Sequence, residues 1–152
     1  MRTKLSPKKV IKKEETKMSC IFCKIANGEI PSTTVYEDDD FKVILDINPA
    51  NIGHSLVVCK HHYANIFEMP EDLTAKAFVV AKKVAAAVQK ATACDGVNIL
   101  QNNGEMAGQT VFHFHIHILP RLAGDLVNIH FGSFNAEEDR INQIGEEIKK
   151  NL

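Results

Sequence analysis

Three histidines, His113, His115 and His117, stand at alternate positions of the run GQTVFHFHIHILPR, with Phe114 and Ile116 between them and Phe112 and Ile118 on either side. In an extended strand alternate side chains share a face, so the imidazoles are expected on one face and the apolar residues on the other. Neighbouring imidazoles then start roughly 6.5–7 Å apart, close enough to share one small anionic ligand and too close to be protonated together without cost. Three kinds of chemistry suit such a run. The histidines could simply decorate an exposed strand edge, although a strict triplet argues for a site. They could bind a metal, although three alternate ligands on one strand converge less easily than ligands from separate elements. One of them could attack phosphorus, because a neutral imidazole with an ordinary pKa of about 6.5 is both a nucleophile and a leaving group at cellular pH.

Cys20 and Cys23 form a second cluster, a C-x-x-C pair at the start of a short apolar stretch. Such a pair can be redox-active, but the strand–helix surroundings of a thioredoxin-like protein are missing, and a structural zinc fits better. The pair supplies only half of a tetrahedral zinc site. With Cys59 and Cys94 the chain has four cysteines, too few and too unevenly spaced for a disulfide framework, so reduced thiols are expected.

These residues need elements to hold them, and hydrophobic periodicity supplies candidates. CIFCKIANG predicts a short helix with Phe22 and Ile25 on one side, ended by Gly28 and stopped by Pro31. Strands are predicted over 33–37, 41–47, 55–59, 97–101 and 111–119. Between Glu71 and Cys94, Leu73, Ala77, Val80, Val84, Val88 and Ala91 recur every three or four residues and mark a long helix, with Gly96 ending it. Ile141, Ile144 and Ile148 mark a C-terminal amphipathic helix, with Asn135 placed to cap it and Glu138 three residues on. The expected fold is α+β: a five-stranded, mainly antiparallel sheet with the long helix on one face and the histidine strand carrying the site.

Composition restricts the function classes. The chain of 152 residues is 45% hydrophobic and 24% charged, which suits one ordinary globular domain. It has no apolar run long enough for a membrane span and no secretory signal pattern, so a soluble, cytoplasmic protein is expected. Residues 1–17 hold seven basic residues against Glu14 and Glu15, a balance of +5, and read as a solvated basic extension, unless translation begins at Met18. Residues 18–152 are expected to form the single domain, and their balance of −6 argues against nucleic-acid binding by that domain.

His113-Phe-His115-Ile-His117-Ile-Leu resembles the signature of the histidine triad (HIT) family of nucleotide hydrolases and transferases. IFCKIANGEIPS, VYEDDDF, LDINPANIGHSLVV, NNGE and GQTVFHFHIH are similar to the Hint branch, in the same order and at comparable spacing, over about Met18 to Leu119.

The resemblance implies a nucleotidyl-histidine mechanism at the α-phosphate, with His115 as nucleophile, His117 beside the phosphate and His54 as an additional active-site histidine. It places Asn102 and Gln109 on phosphate oxygens, Thr110 where many relatives have serine, and Asp46 on ribose hydroxyls. Phe22, Ile25, Ile44, Ile47 and Leu56 would line an apolar cleft for the base. Gly104 and Gly108 bracket a loop where backbone could approach phosphate. The galactose-1-phosphate uridylyltransferase relatives suggest His62 and His113 as zinc partners of Cys20 and Cys23, with His61 the near competitor of His62. The metal would be structural, and no catalytic metal is expected. The resemblance also implies a homodimer with the sheet continuing across the interface. The most favoured reaction is purine nucleoside 5′-phosphoramidate hydrolysis. Dinucleoside polyphosphate hydrolysis, or a nucleotide-binding regulatory role with incidental turnover, stays open.

Overall fold

The computed structural model describes residues 19–152; the basic segment 1–17 and Met18 lie outside the described residues. Ten elements follow one another. They are helix α1 (Ile21–Ala26), strands β1 (Thr34–Glu37), β2 (Phe41–Leu45) and β3 (Ser55–Cys59), a 3-10 turn at Ile66–Glu68, helix α2 (Glu71–Thr92), β4 (Gly96–Leu100), a second 3-10 turn at Glu105–Ala107, β5 (His115–Arg121) and helix α3 (Glu138–Lys150). The five strands form one sheet in the order β1-β2-β3-β5-β4 with every neighbouring pair antiparallel. The α+β expectation therefore holds.

Strand alternation divides the protein into two apolar layers. Phe41 and Val43 of β2, Val57 and Cys59 of β3, and Ile116 and Ile118 of β5 point to one side. There they pack with Phe114 against Ala77, Val80, Ala81, Val84 and Val88 of α2. On the other side Ile44, Leu56 and Val58 meet Cys20, Phe22, Cys23 and Ile25 of α1. The histidine side chains of β5 belong to this second, smaller layer. The long helix thus forms the main core and leaves the opposite face of β5 for the short helix and the site.

Several boundaries differ from the periodicity. The strand predicted over 111–119 begins only at His115 and continues to Arg121, because residues 111–113 bend away from the sheet. His113 therefore precedes the strand, yet its ring stays on the His115 side, against Phe22, Cys20 and Cys23, while Phe114 joins Ile116 and Ile118 on the other. The strand predicted over 41–47 stops at Leu45. Ala93, in the left-handed conformation at φ 52°, closes α2, and Gly96 instead opens β4. Asn135 does not cap the last helix: α3 begins after Glu137, whose side chain makes no capping bond. Among the described residues, no helix is long and apolar enough to cross a membrane.

Candidate active site and metal-binding group

β5 runs between β3 and β4, so its histidines sit at the centre of the sheet. His115 lies opposite Val58, and His117 lies opposite Leu56 on one side and Leu100 on the other. Their rings are 4.9 Å apart, and Phe22 of α1 stands edge-on to His115, also at 4.9 Å. His54, at the entrance to β3, joins them through a 3.0 Å contact between its Nε2 and Nδ1 of His117.

The hydrogen bonds determine where the protons sit. His115 Nδ1–H donates to the main-chain carbonyl of His113 at 2.7 Å, which leaves Nε2 with its lone pair free. The Ala50 amide donates to His54 Nδ1 at 3.2 Å, so the His54 proton is on Nε2 and is donated to His117 Nδ1. The His117 proton is then on its own Nε2. Asp46 Oδ2 lies 3.7 Å from His54 Nδ1, placed to pair with it when His54 is protonated. Burial is the first cause holding all three imidazoles below their ordinary value: His54 and His115 are lowered, and His117 is pushed to about 4 with help from its histidine neighbours. All three are neutral near pH 7.

Just before this strand the backbone offers donors. The amides of Thr110, Val111, Phe112 and His113 donate to no described residue. The preceding turn is closed differently. Gly104 at φ 93° and Gly108 at φ 86° allow it to fold on itself, and its amides at Gly104, Ala107, Gly108 and Gln109 all bond within the turn or to Gln109 Oε1. Four consecutive N–H groups without a partner among the described residues thus precede His115 in the chain, donors of the kind that bind anions.

The ring of His113 is completely buried and packs edge-on to the same Phe22 that His115 touches, with ring centroids 5.9 Å apart. Its Nε2–H donates to the Cys59 carbonyl at 2.6 Å, leaving Nδ1 free. That Nδ1 lies 3.4 Å from Cys20 Sγ, 3.5 Å from Cys23 Sγ and 3.2 Å from His62 Nδ1, and His62 Nδ1 is 3.3 Å from Cys23 Sγ. All four donor atoms lie within 4.8 Å of one another. Zinc–sulfur and zinc–nitrogen bonds of about 2.3 and 2.0–2.1 Å in a tetrahedron put ligand atoms roughly 3.3–3.8 Å apart, so the group can hold a metal of that kind. Burial keeps His113 near a pKa of about 4, hence neutral, the form a metal requires. His61 is excluded from the group; it is exposed, and its Nε2 lies 3.7 Å from Asp40 Oδ1.

Residues 27–124 match the HIT domain family. The chain belongs to the HIT family. It is 47% identical over 130 residues to an uncharacterized HIT-like protein of Methanocaldococcus jannaschii, covering 86% of this chain and 98% of that one. It is 37% identical over 136 residues to the adenosine 5′-monophosphoramidase hnt1 of Schizosaccharomyces pombe, covering 89% and 99%. The adenylylsulfatase HINT3 of Arabidopsis thaliana is 46% identical over 106 residues, which are 70% of this chain and 54% of that protein. Among solved structures, the Streptococcus mutans protein SMU.412c superposes with a TM-score of 0.86 at 45% identity, covering 91% and 88%. A zinc-bound histidine triad family protein of Mycobacterium smegmatis superposes at 0.70 with 34% identity, covering 90% and 100%. Two of these relatives are named for enzyme activities, one a phosphoramidase and one an adenylylsulfatase.

The remaining site candidates of this HIT domain divide into two sets. Phe22, Ile25, Ile44 and Leu56 lie together in the buried layer beneath α1. Ile47 does not join them, being 88% exposed on the loop after β2. Asn102 is half-buried near Gly108, and its side-chain amide bonds to no described residue. Gln109 is fully committed: Nε2 donates to the carbonyls of Ala64 and Val111, and Oε1 accepts from Gly104. It braces the turn. Thr110 is exposed at the start of the free-amide run.

Sequence reasoning missed three positioning features of this HIT domain. Asn51 donates to the Pro120 carbonyl and to Asp125, which fixes the loop leading to His54. Gly53 adopts φ 97° with no room for a Cβ, and that signal was present in the GHS sequence. The carbonyls of His113 and Cys59 carry no sequence signal.

Proposed function

We propose that this protein hydrolyses purine nucleoside 5′-phosphoramidates through a covalent nucleotidyl-histidine on His115. The observation that carries the reading is the bond from His115 Nδ1–H to the His113 carbonyl, which presents a neutral Nε2 lone pair next to four unpartnered amides. His115 Nε2 attacks the α-phosphorus and the phosphorus–nitrogen bond of the substrate breaks. The amine leaves with a proton supplied from the His117, His54 and Thr110 side. The carbonyl of His113 stabilises the cationic imidazole ring that results. Water then attacks phosphorus, the histidine–phosphorus bond breaks, and nucleoside monophosphate is released with His115 restored. The free amides, with Asn102, offset the charge on the nonbridging oxygens. Gln109 acts on these oxygens indirectly, by holding the turn.

Asp46 accepts from the ribose hydroxyls, and Phe22, Ile25, Ile44 and Leu56 form the apolar wall for the base, with Ile47 at its outer edge. Zinc held by Cys20, Cys23, His62 and His113 would supply a structural cross-link between α1, the segment after β3 and the approach to β5. Residues 18–152 act as one catalytic domain in a cytoplasmic homodimer. The name of the fission yeast relative supports this substrate class.

A second substrate class, dinucleoside polyphosphates, is disfavoured by a specific observation. Arg121, the basic residue nearest the triad in sequence, is bound to both Asp125 oxygens, Asn98 and the Val127 carbonyl, and so is not available to outer phosphates.

The test is a substrate panel of adenosine and guanosine phosphoramidates, adenylyl sulfate and diadenosine polyphosphates, with mass spectrometry of the quenched enzyme. Turnover of the phosphoramidates with a nucleotidylated peptide containing His115 is expected. Nucleotide binding without turnover of any panel member would leave a binding protein.

A further inference from the structure

We propose that Gln101 and Asn103 are positioning residues for the phosphate end of the site, joining their side-chain amides across Asn102 so that its carboxamide is presented to substrate. This rests on the phosphate role proposed above for Asn102.

β4 ends at Leu100, which lies opposite His117 of β5. Cross-strand partners share a face, so continued alternation puts Asn102 on the histidine face and its two neighbours on the opposite one. The contacts agree with that division. The side chains of Gln101 and Asn103 bond to each other, and Asn103 reaches the amide of Ile66, whose side chain packs on the main core. The Asn102 side-chain amide has no partner among the described residues and lies beside Gly108, at the turn that precedes the unpartnered amides.

One main-chain donor orients the whole set. Ile66 N–H donates to Asn103 Oδ1 at 2.9 Å, which leaves Asn103 Nδ2 to donate to Gln101 Oε1 at 2.5 Å. Gln101 Nε2 then donates to Asn103 Oδ1 at 3.0 Å and to the Asn102 carbonyl at 3.2 Å. Turning either amide over would set donor against donor and acceptor against acceptor. All four polar atoms of the pair are engaged, and the Asn102 main chain is held at its carbonyl.

The same support reaches His115. Phe114 N–H, between His113 and His115, donates to the Tyr63 carbonyl at 2.6 Å, and Gln109 Nε2 donates to the Ala64 carbonyl at 2.6 Å. Residues 63–66 therefore tie down the histidine strand, the turn and, through Asn103, the chain on either side of Asn102. The amide pair is the link that carries this fixed frame to Asn102. A misplacement of about 1 Å in a group that positions substrate can cost roughly a hundredfold in rate. A half-buried pair on the face away from the histidines thus bears on turnover.

The test is a double-mutant cycle on the full-length protein. Gln101→Met removes one amide and leaves the bond between Ile66 and Asn103 in place; Asn103→Leu is the second variant, and each is combined with Asn102→Ala. Turnover of adenosine phosphoramidate gives kcat, and calorimetric titration gives the affinity for AMP and for adenosine, which lacks the phosphate. Gln101→Met should lower kcat at least about tenfold and AMP affinity about threefold, with adenosine affinity changed less than about twofold. In the Asn102→Ala background the same substitution should change kcat and AMP affinity less than about twofold, because the group it positions is gone. Asn103→Leu should repeat the pattern. A pair that only supports the fold would lower Tm and take the same fraction of activity in both backgrounds, and that result would overturn the proposal. So would normal kcat and AMP affinity in Gln101→Met. If the unaltered protein binds AMP but turns over no phosphoramidate, the reaction proposed above falls and the AMP cycle still decides the positioning role. No effect of Asn102→Ala on AMP affinity or kcat would remove Asn102 from the phosphate site, and the proposal with it.

Discussion

His115 donates its Nδ1–H to the carbonyl oxygen of His113, while the ring of that same His113 is held in the Cys20–Cys23–His62 group. One residue thus sets the tautomer of His115 with its backbone and belongs, with its side chain, to the group that could hold a metal. The neutral His115 should therefore be the Nδ1–H tautomer, which imidazole nitrogen shifts in NMR can read. His115→Asn is expected to reduce kcat by at least about a thousandfold with nucleotide affinity changed less than about threefold, because the ring acts mainly in the covalent step. A near-normal rate in that variant would remove His115 from the chemistry.

Metal content should be one zinc per chain. Stripping it, or Cys23→Ser, should lower Tm by about 10 °C, from a loss of a few kcal/mol at roughly 2–4 °C per kcal/mol for a domain of this size. Chelated molecules that stay folded should retain activity. Loss of chemistry in a folded protein, restored at once by zinc, would instead require a catalytic metal.

Stability should fall on mild acidification. His117 is held at about 4 against its ordinary 6.5. Between those values the unfolded chain binds more protons than the folded one, so stability rises with pH there. The contribution is complete above about 6.5 and is lost as pH falls through about 4. The shift corresponds to at most roughly 3 kcal/mol, reduced by solvent screening of this half-buried ring, and His54, also lowered, acts in the same direction. Urea midpoints between pH 7 and 4.5 should decline less steeply in His117→Asn; identical slopes would mean the imidazole is not held neutral.

Gly53→Ala should be costly at a position that touches no substrate. The residue has φ 97°, and an added Cβ would sit 2.7 Å from Thr92 Cγ2. A loss of about 1–3 kcal/mol is expected from the strained backbone, together with lower kcat through displacement of the adjacent His54. Adding Thr92→Ser, which removes that methyl group, should recover part of the stability but not all, since φ stays unfavourable. Unchanged stability in the single variant would contradict the tight packing at this loop.

Phosphoramidates should exceed diadenosine tri- or tetraphosphate in kcat/KM by at least about tenfold, or about 1.4 kcal/mol of transition-state discrimination. Removing the Arg121–Asp125 pair with Asp125→Asn should free the guanidinium and narrow that ratio. Equal use of both substrates by the unaltered protein would sink the phosphoramidate reading while leaving a histidine nucleophile possible.

The amino-acid sequence alone determined the histidine run, the C-x-x-C pair, the five strands and the helices, because apolar periodicity and residue type are local properties. It also carried the family, since HFHIH and its flanking motifs are contiguous. Tertiary structure decided how these parts divide the work. Alternation places His113 on the face of His115, but only the fold brings α1 and the segment after β3 there, so that His113 meets two cysteines and a histidine some 50 to 90 positions away in the chain. The choice of His62 over His61 depends on where the segment after β3 turns, and the commitment of Gln109 depends on a carbonyl contributed by Ala64. Proton positions on His54 and His117 follow from an amide at Ala50 and a ring contact across the sheet. Such backbone donors and acceptors are present at nearly every residue and carry no letter of their own, so only the folded chain could reveal which of them serve the site.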